Sequence, residues 1–157
     1  MKIRESKVTD MKSVLNLITE LAIFEKEPDA VEVTEAYLIN AGFSANPEFK
    51  CFVAEVSNEI VGMALVFNRF STWKGTVLHL EDLIVNHKFR GQGIGAALLD
   101  TVVNYGKELG VKRISWEVLG WNTDAIKFYQ QRGANILDTW RVVHLNENGI
   151  NNYSTQE

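Results

Sequence analysis

The chain has 157 residues, 46% of them hydrophobic and 23% charged, with a formal net charge of −4. That describes one globular domain able to bury its own core, and the acidic balance offers no basic face to nucleic acid. One cysteine, Cys51, excludes an intramolecular disulfide; with no apolar leader and no membrane-spanning run, a cytoplasmic protein that binds neither membrane nor nucleic acid is expected.

Residues 1–6 alternate enough to form a first strand, and Thr9-Asp10 can cap a helix over 11–24. Val14, Leu15, Ile18, Leu21 and Ala22 share one face of that helix. An acidic break over 25–29 contains Pro28, and a second helix over 35–41 is expected to stop at Gly42. Strands follow over 51–56, 60–67 and 77–85, joined by turns at Ser57-Asn58-Glu59 and Trp73-Lys74-Gly75. Cys51 falls in a strand and reads as a core thiol. A third helix runs from Ile94 to about Leu109 with Gly110 as its terminator. A strand over 113–119 precedes a short helix over 125–132, capped by Asn122-Thr123-Asp124 and stopped by Gly133. A last strand is expected near 140–145, with a fraying polar tail over 146–157. The order β-α-α-β-β-β-α-β-α-β predicts a single α/β domain around a mixed central sheet.

The segment Arg90-Gly91-Gln92-Gly93-Ile94-Gly95 sits between an apolar strand and a helix start. Glycines there let the backbone turn tightly and approach an anion, and the free N–H groups of the helix start point at it. Arg90 adds a positive charge at the entry. A Walker A loop would need Gly-Lys-Ser/Thr, which is missing. A dinucleotide fingerprint would need Gly-x-Gly-x-x-Gly, and the spacing here is different. The pattern Arg/Gln-x-x-Gly-x-Gly/Ala fits, through Arg90, Gly93 and Gly95.

That pattern is the pyrophosphate loop of the GNAT superfamily of N-acetyltransferases. The chain resembles this superfamily, and within it the diamine branch of spermidine/spermine and thialysine acetyltransferases. The resemblance is carried by Leu21-Ala22-Ile23-Phe24-Glu25, Leu80-Glu81-Asp82, the glycine loop, Trp121-Asn122 and Phe128-Tyr129-x-x-Arg132-Gly133-Ala134. It implies that acetyl-CoA is the acetyl donor, its pantetheine arm pairing with Leu83, Ile84 and Val85. The pyrophosphate would sit on Gly91, Gln92, Gly93, Ile94, Gly95 and Ala96 beside Arg90. Asn122, Thr123, Asp124, Ala125 and Tyr129 would form the other wall. A homodimer is implied as well. An edge strand with free N–H and C=O groups is physically suited to pair with an amide-rich arm.

Acetyl transfer to a primary amine needs a proton removed, since such an amine has a pKa of about 10. Glu81 ends the strand beside the expected cofactor and is the candidate base, acting through water. By resemblance, the Tyr129 hydroxyl faces the departing sulfur and protonates it. A small di- or polyamine, or a lysine-like amino acid such as thialysine, would need carboxylates for its charges and apolar walls for its methylenes. Phe24, Glu25, Glu81, Asp82, Glu117, Asp138 and Trp140 are the candidates, with Trp73 as a further wall. Trp116 and Trp121 read as packing. Three histidines, His79, His87 and His144, are dispersed without metal-ligand spacing, so no metal is expected. Other readings stay open: a different amine (an amino acid, an aminoglycoside or a protein amine), or a non-catalytic acyl-CoA-binding regulator. The hairpin at 57–59 and the segment 133–140 are shorter than in the diamine enzymes, and the tail over 146–157 diverges.

Overall fold

The computed structural model describes residues 1–154, which fall into two compact units, Met1–Glu117 and the chain from Val118 onward. The first unit holds a five-stranded sheet in the order β1 (Lys2–Glu5), β2 (Lys50–Val56), β3 (Glu59–Ser71), β4 (Gly75–Val85) and β5 (Ile114–Ser115). The first three pairings are antiparallel and the last is parallel, so the sheet is mixed. Ser57 and Asn58, with φ of 51° and 64°, make the two-residue turn between β2 and β3. Positive φ at both positions matches the twist of a tight hairpin.

Helices cover both faces of this sheet. From α1 (Met11–Phe24), Met11, Val14 and Leu17 pack with Cys51 and Val53 of β2, Met63 and Leu65 of β3, and Ile84 of β4. On α3 (Ile94–Glu108), Leu98 lies over Gly62, and Tyr105 meets Phe52 edge to face at 5.5 Å. Phe52 and Gly62 neighbour Val53 and Met63, and successive side chains of a strand point to opposite faces. The helix α1 and the helix α3 therefore take opposite faces, which leaves β3 and β4 buried on both. That arrangement is why their sequences read as continuous apolar runs.

Two expectations near the N-terminus change in detail. Asp10 stands at the start of α1, but its carboxylate accepts from Arg4 at 2.6 and 3.1 Å and from the Lys7 N–H at 2.7 Å. Arg4 also donates to Glu55 at 2.7 Å, which ties β1, β2 and α1 together. The second helix, α2 (Glu35–Phe43), runs through Gly42 rather than stopping there. A Cβ at Gly42 would come within 2.7 Å of the Phe49 ring, so the glycine serves close packing instead of termination. Cys51 is buried, and burial pushes its thiol up to about 12, as suits a core residue.

The expected strand over 113–119 contracts to Ile114–Ser115. The expected strand over 140–145 does not form, and Trp140, Val142, Val143 and Leu145 are exposed. Their alternation carries β-propensity, but no neighbouring strand among the described residues supplies a ladder, and propensity alone does not hold a strand. The element order therefore ends in helices. In the second unit α4 (Thr123–Gln130) is capped by the Asn122 side chain, which accepts from the Ala125 N–H at 3.3 Å. Part of the tail expected to fray forms α5 (Glu147–Asn151), capped in the same way by Asn146. Residues 155–157 of that tail lie outside the described residues. No helix among the described residues is long and apolar enough to cross a membrane.

Candidate active site

The glycine loop has the backbone geometry an anion seat needs. Gly91 and Gly93 have φ of 75° and 79°, the left-handed region that side chains resist. Gly93 is the N-cap of α3, and no side chain caps the helix there. Its first N–H groups, at Ile94, Gly95 and Ala96, therefore stay available to a phosphate, with the helix dipole behind them. A Cβ at Gly91 or Gly93 would meet nothing within 4 Å, so the space in front of the backbone is open. These residues fit a pyrophosphate. Gly93→Ala is expected to cost about 1 kcal/mol of stability from backbone strain alone and to weaken acetyl-CoA binding severalfold. Thermal melts and titration calorimetry would read both, and an unchanged affinity would remove the loop as the pyrophosphate seat.

Arg90 does not project freely at the loop entry. Its Nε–H donates to the Val85 carbonyl at 2.9 Å, and its guanidinium lies 5.3 Å from the Phe24 ring centre. Glu20 of α1 completes the brace. Its carboxylate accepts from the Asn86 amide at 2.8 Å and the His87 N–H at 2.9 Å, and lies 4.0 Å from Arg90. The sequence gives little sign of this role for Glu20. Its signal was weak, one acidic residue on α1 a single turn before Phe24.

Strand β4 presents the open edge that a pantetheine arm requires. It pairs with β5 only at Leu78↔Ile114 and His79↔Ser115. From Leu80 to Val85 that edge has no partner strand among the described residues. The chain reaches this geometry through a bulge. Leu65 of β3 faces Asp82 and Val66 faces Leu80, so Glu81 is the extra residue on β4. A bulge adds local twist and re-aims side chains, a device common beside active sites.

Three carboxylates share this region. Burial, then the nearby Glu81 and Glu25, pushes the Asp82 carboxyl up to about 6. Burial alone raises Glu25, just past the end of α1. Glu81 is 54% exposed at its side chain, with one oxygen 3.5 Å from His79 Nε2. Negative charge gathered at the bulge of β4 suits a cationic ligand. Glu117 is exposed beyond β5, with no bond drawing it to these three. In the second unit, Tyr129 is buried on α4, and burial holds its phenol above the usual range. Asp138 and Trp140 are exposed there, and Thr123, Asp124 and Ala125 make the first turn of α4. Trp73, at 78% exposure, stands in the β3–β4 turn, and Trp121 is half exposed instead of packed inside. A cavity of 320 Å³ in the first unit lies elsewhere, lined by Phe49, Lys50, Phe67 and Tyr105 among others. Among the described residues no group of His, Cys, Asp and Glu could hold a metal ion.

The model of the acetyltransferase (GNAT) family matches residues 11–134, spanning the loop, the bulged strand and Tyr129. The chain belongs to that family. It is an acetyl-CoA-dependent N-acetyltransferase. The thialysine N-epsilon-acetyltransferase of Bos taurus is 37% identical over 140 residues, covering 84% of this chain and 82% of that protein. The spermidine/spermine N(1)-acetyltransferase-like protein 1 of Homo sapiens is 35% identical over 151 residues, 92% of this chain and 22% of the relative. Among solved structures, an integron cassette protein from V. cholerae superposes with a TM-score of 0.78 at 23% identity, covering 96% of this chain and 94% of that one. At that identity the likeness concerns the fold.

Proposed function

We propose that this GNAT acetyltransferase is a cytoplasmic homodimer of single-domain subunits. Its substrate is a primary amine of a small di- or polyamine, or of a lysine-like amino acid such as thialysine. The observation that carries this reading is the acidic trio of Glu81 and Asp82 at the bulge of β4 and nearby Glu25 after α1, together with the chain's likeness to the thialysine enzymes. A second ammonium or an amino-acid backbone amine gives those carboxylates something to hold beyond the reacting nitrogen. Phe24 and Trp140 are assigned to the methylene chain, and Glu117 and Asp138 to outlying charge. Membrane and nucleic acid have no part in the activity.

Acetyl-CoA supplies the acetyl thioester. Its pantetheine is assigned to Leu83, Ile84 and Val85, its pyrophosphate to the glycine loop, and its far wall to Asn122 through Ala125. Glu81 accepts a proton from the substrate ammonium through water, and the freed amine attacks the thioester carbon. The carbon–sulfur bond then breaks, the Tyr129 hydroxyl donates its proton to the leaving sulfur, and the second proton shed by the acylated nitrogen restores the phenol. Burial suits Tyr129 to this task, because it keeps the phenol protonated at working pH. Tyr129→Phe is expected to lower kcat about 10–100-fold with little change in acetyl-CoA affinity. Full turnover by that variant on every amine would exclude the acid role.

A thiol-release assay with acetyl-CoA against spermidine, putrescine, thialysine, lysine, an aminoglycoside and a basic peptide tests the assignment. Saturable release with a diamine, polyamine or lysine analogue is the expected result. Release with the aminoglycoside or the peptide alone would overturn the amine class while leaving the family reaction intact.

A further inference from the structure

We propose that His79 is a positioning residue for acetyl transfer: its buried imidazole anchors the Glu81 carboxylate on one side and is itself oriented by Ser115 on the other. The inference rests on the reading of Glu81 as the base.

The three side chains form a line across the end of the parallel pairing. Imidazole Nδ1 of His79 lies 3.3 Å from Ser115 Oγ, and Nε2 lies 3.5 Å from Glu81 Oε2. His79 is 8% exposed, and its ring packs on Phe67 with centres 5.0 Å apart. A buried imidazole has two polar atoms to place: Nδ1 is within hydrogen-bond reach of Ser115, and Nε2 faces the Glu81 carboxylate. The backbone explains why they meet. Ser115 is the register partner of His79 in the last paired position of β5. Glu81 is the residue that the bulge inserts two positions further along β4.

The chemistry fixes the direction of the chain. An ionised carboxylate only accepts hydrogen bonds, so Nε2 must carry the proton that points at Glu81. In a neutral imidazole Nδ1 is then an acceptor, and the Ser115 hydroxyl donates to it. The Glu81 carboxylate thereby sets the tautomer, and the Ser115 hydroxyl, able to donate or accept, fits it and holds the ring plane. A glutamate as exposed as Glu81 otherwise samples many rotamers, and holding one of them removes an entropic cost from the proton-transfer geometry. Acetyl transfer on an amine already held by Asp82 would gain from this alignment.

Two measurements test the proposal. Nitrogen-15 NMR of the wild-type imidazole at pH 8 should show the Nε2–H tautomer of His79, and a dominant Nδ1–H tautomer would overturn the arrangement without any variant. In steady-state kinetics, His79→Leu should lower kcat about tenfold with KM for acetyl-CoA unchanged. His79→Gln keeps an N–H donor and should recover most of that loss. In a Glu81→Gln background, His79→Leu should cost less than about twofold more, because its effect runs through the missing carboxylate. An equal tenfold loss in both backgrounds would mean that His79 is only a packing residue. If Glu81→Gln itself keeps the wild-type rate, the base assignment fails and takes this inference with it. If Glu81→Gln is slow and His79→Leu is not, only the positioning role fails.

Discussion

Glu81→Gln is expected to lower kcat about 100-fold at pH 7, with the deficit shrinking as the pH approaches about 10. At neutral pH about one primary amine in a thousand is unprotonated, since its pKa lies near 10. A base beside the bound ammonium would remove that handicap, and Glu81, the bulge residue of β4, has a side chain open to water. Glutamine keeps the shape and loses the proton acceptor. Raising the pH supplies neutral amine directly, so the variant regains what the base had provided. A pH series of kcat for both proteins, with acetyl-CoA saturating, separates the possibilities. A deficit that stays constant from pH 7 to 10 would mean that Glu81 shapes the site without accepting the proton.

The sheet and its helices were legible because their signals are local. The apolar face of α1 and the strand runs near 51–56, 60–67 and 77–85 each read out in the structure within a few residues. The glycine loop was legible for the same reason, since positive φ at Gly91 and Gly93 demands glycine whatever the surroundings. What escaped depends on partners distant in the chain. The pattern at 140–145 looked like a strand because alternation says nothing about whether a neighbour exists. The bulge at Glu81 was invisible because β4 is buried on both faces, and a strand without alternation gives no sign of a slipped register. His79 reads as a dispersed histidine in the sequence, since its neighbours in the fold are Ser115, 36 positions away, and Glu81 across that bulge. Glu20 similarly braces Asn86 and His87 from 66 and 67 positions away. Arg90 is legible as part of the motif, while its bond to the Val85 carbonyl is not.

Asp82→Asn should stabilise the free protein and impair the enzyme at once. The Asp82 carboxyl is held near 6 by burial and by two carboxylate neighbours, well above an ordinary aspartate near 3.9. A carboxyl raised in the folded state binds its proton more tightly there than in the unfolded chain. Stability therefore falls as the pH rises from about 4 to 6 and stays lower above that window. The full shift corresponds to about 3 kcal/mol, and water around a half-buried group reduces it to about 1–2 kcal/mol. Asparagine escapes this cost, so the variant should melt higher than wild type at pH 8 and the same near pH 3.5. The opposite sign is expected for the substrate. A charge-assisted contact to an ammonium is worth about 1.5–3 kcal/mol, so KM for a diamine should rise about 10–100-fold with KM for acetyl-CoA unchanged. The wild-type KM for the amine should also climb as the pH falls below about 6, where Asp82 takes up its proton, and the variant should lose that dependence. A variant that gains stability at pH 8 yet keeps its KM would place the amine away from Asp82. One that loses stability there would show that some neighbour in the folded protein already compensates the charge. A cation seated beside Asp82 would relieve that cost, which would make the same carboxyl a liability to the free chain and a source of selectivity for a substrate with a second positive charge.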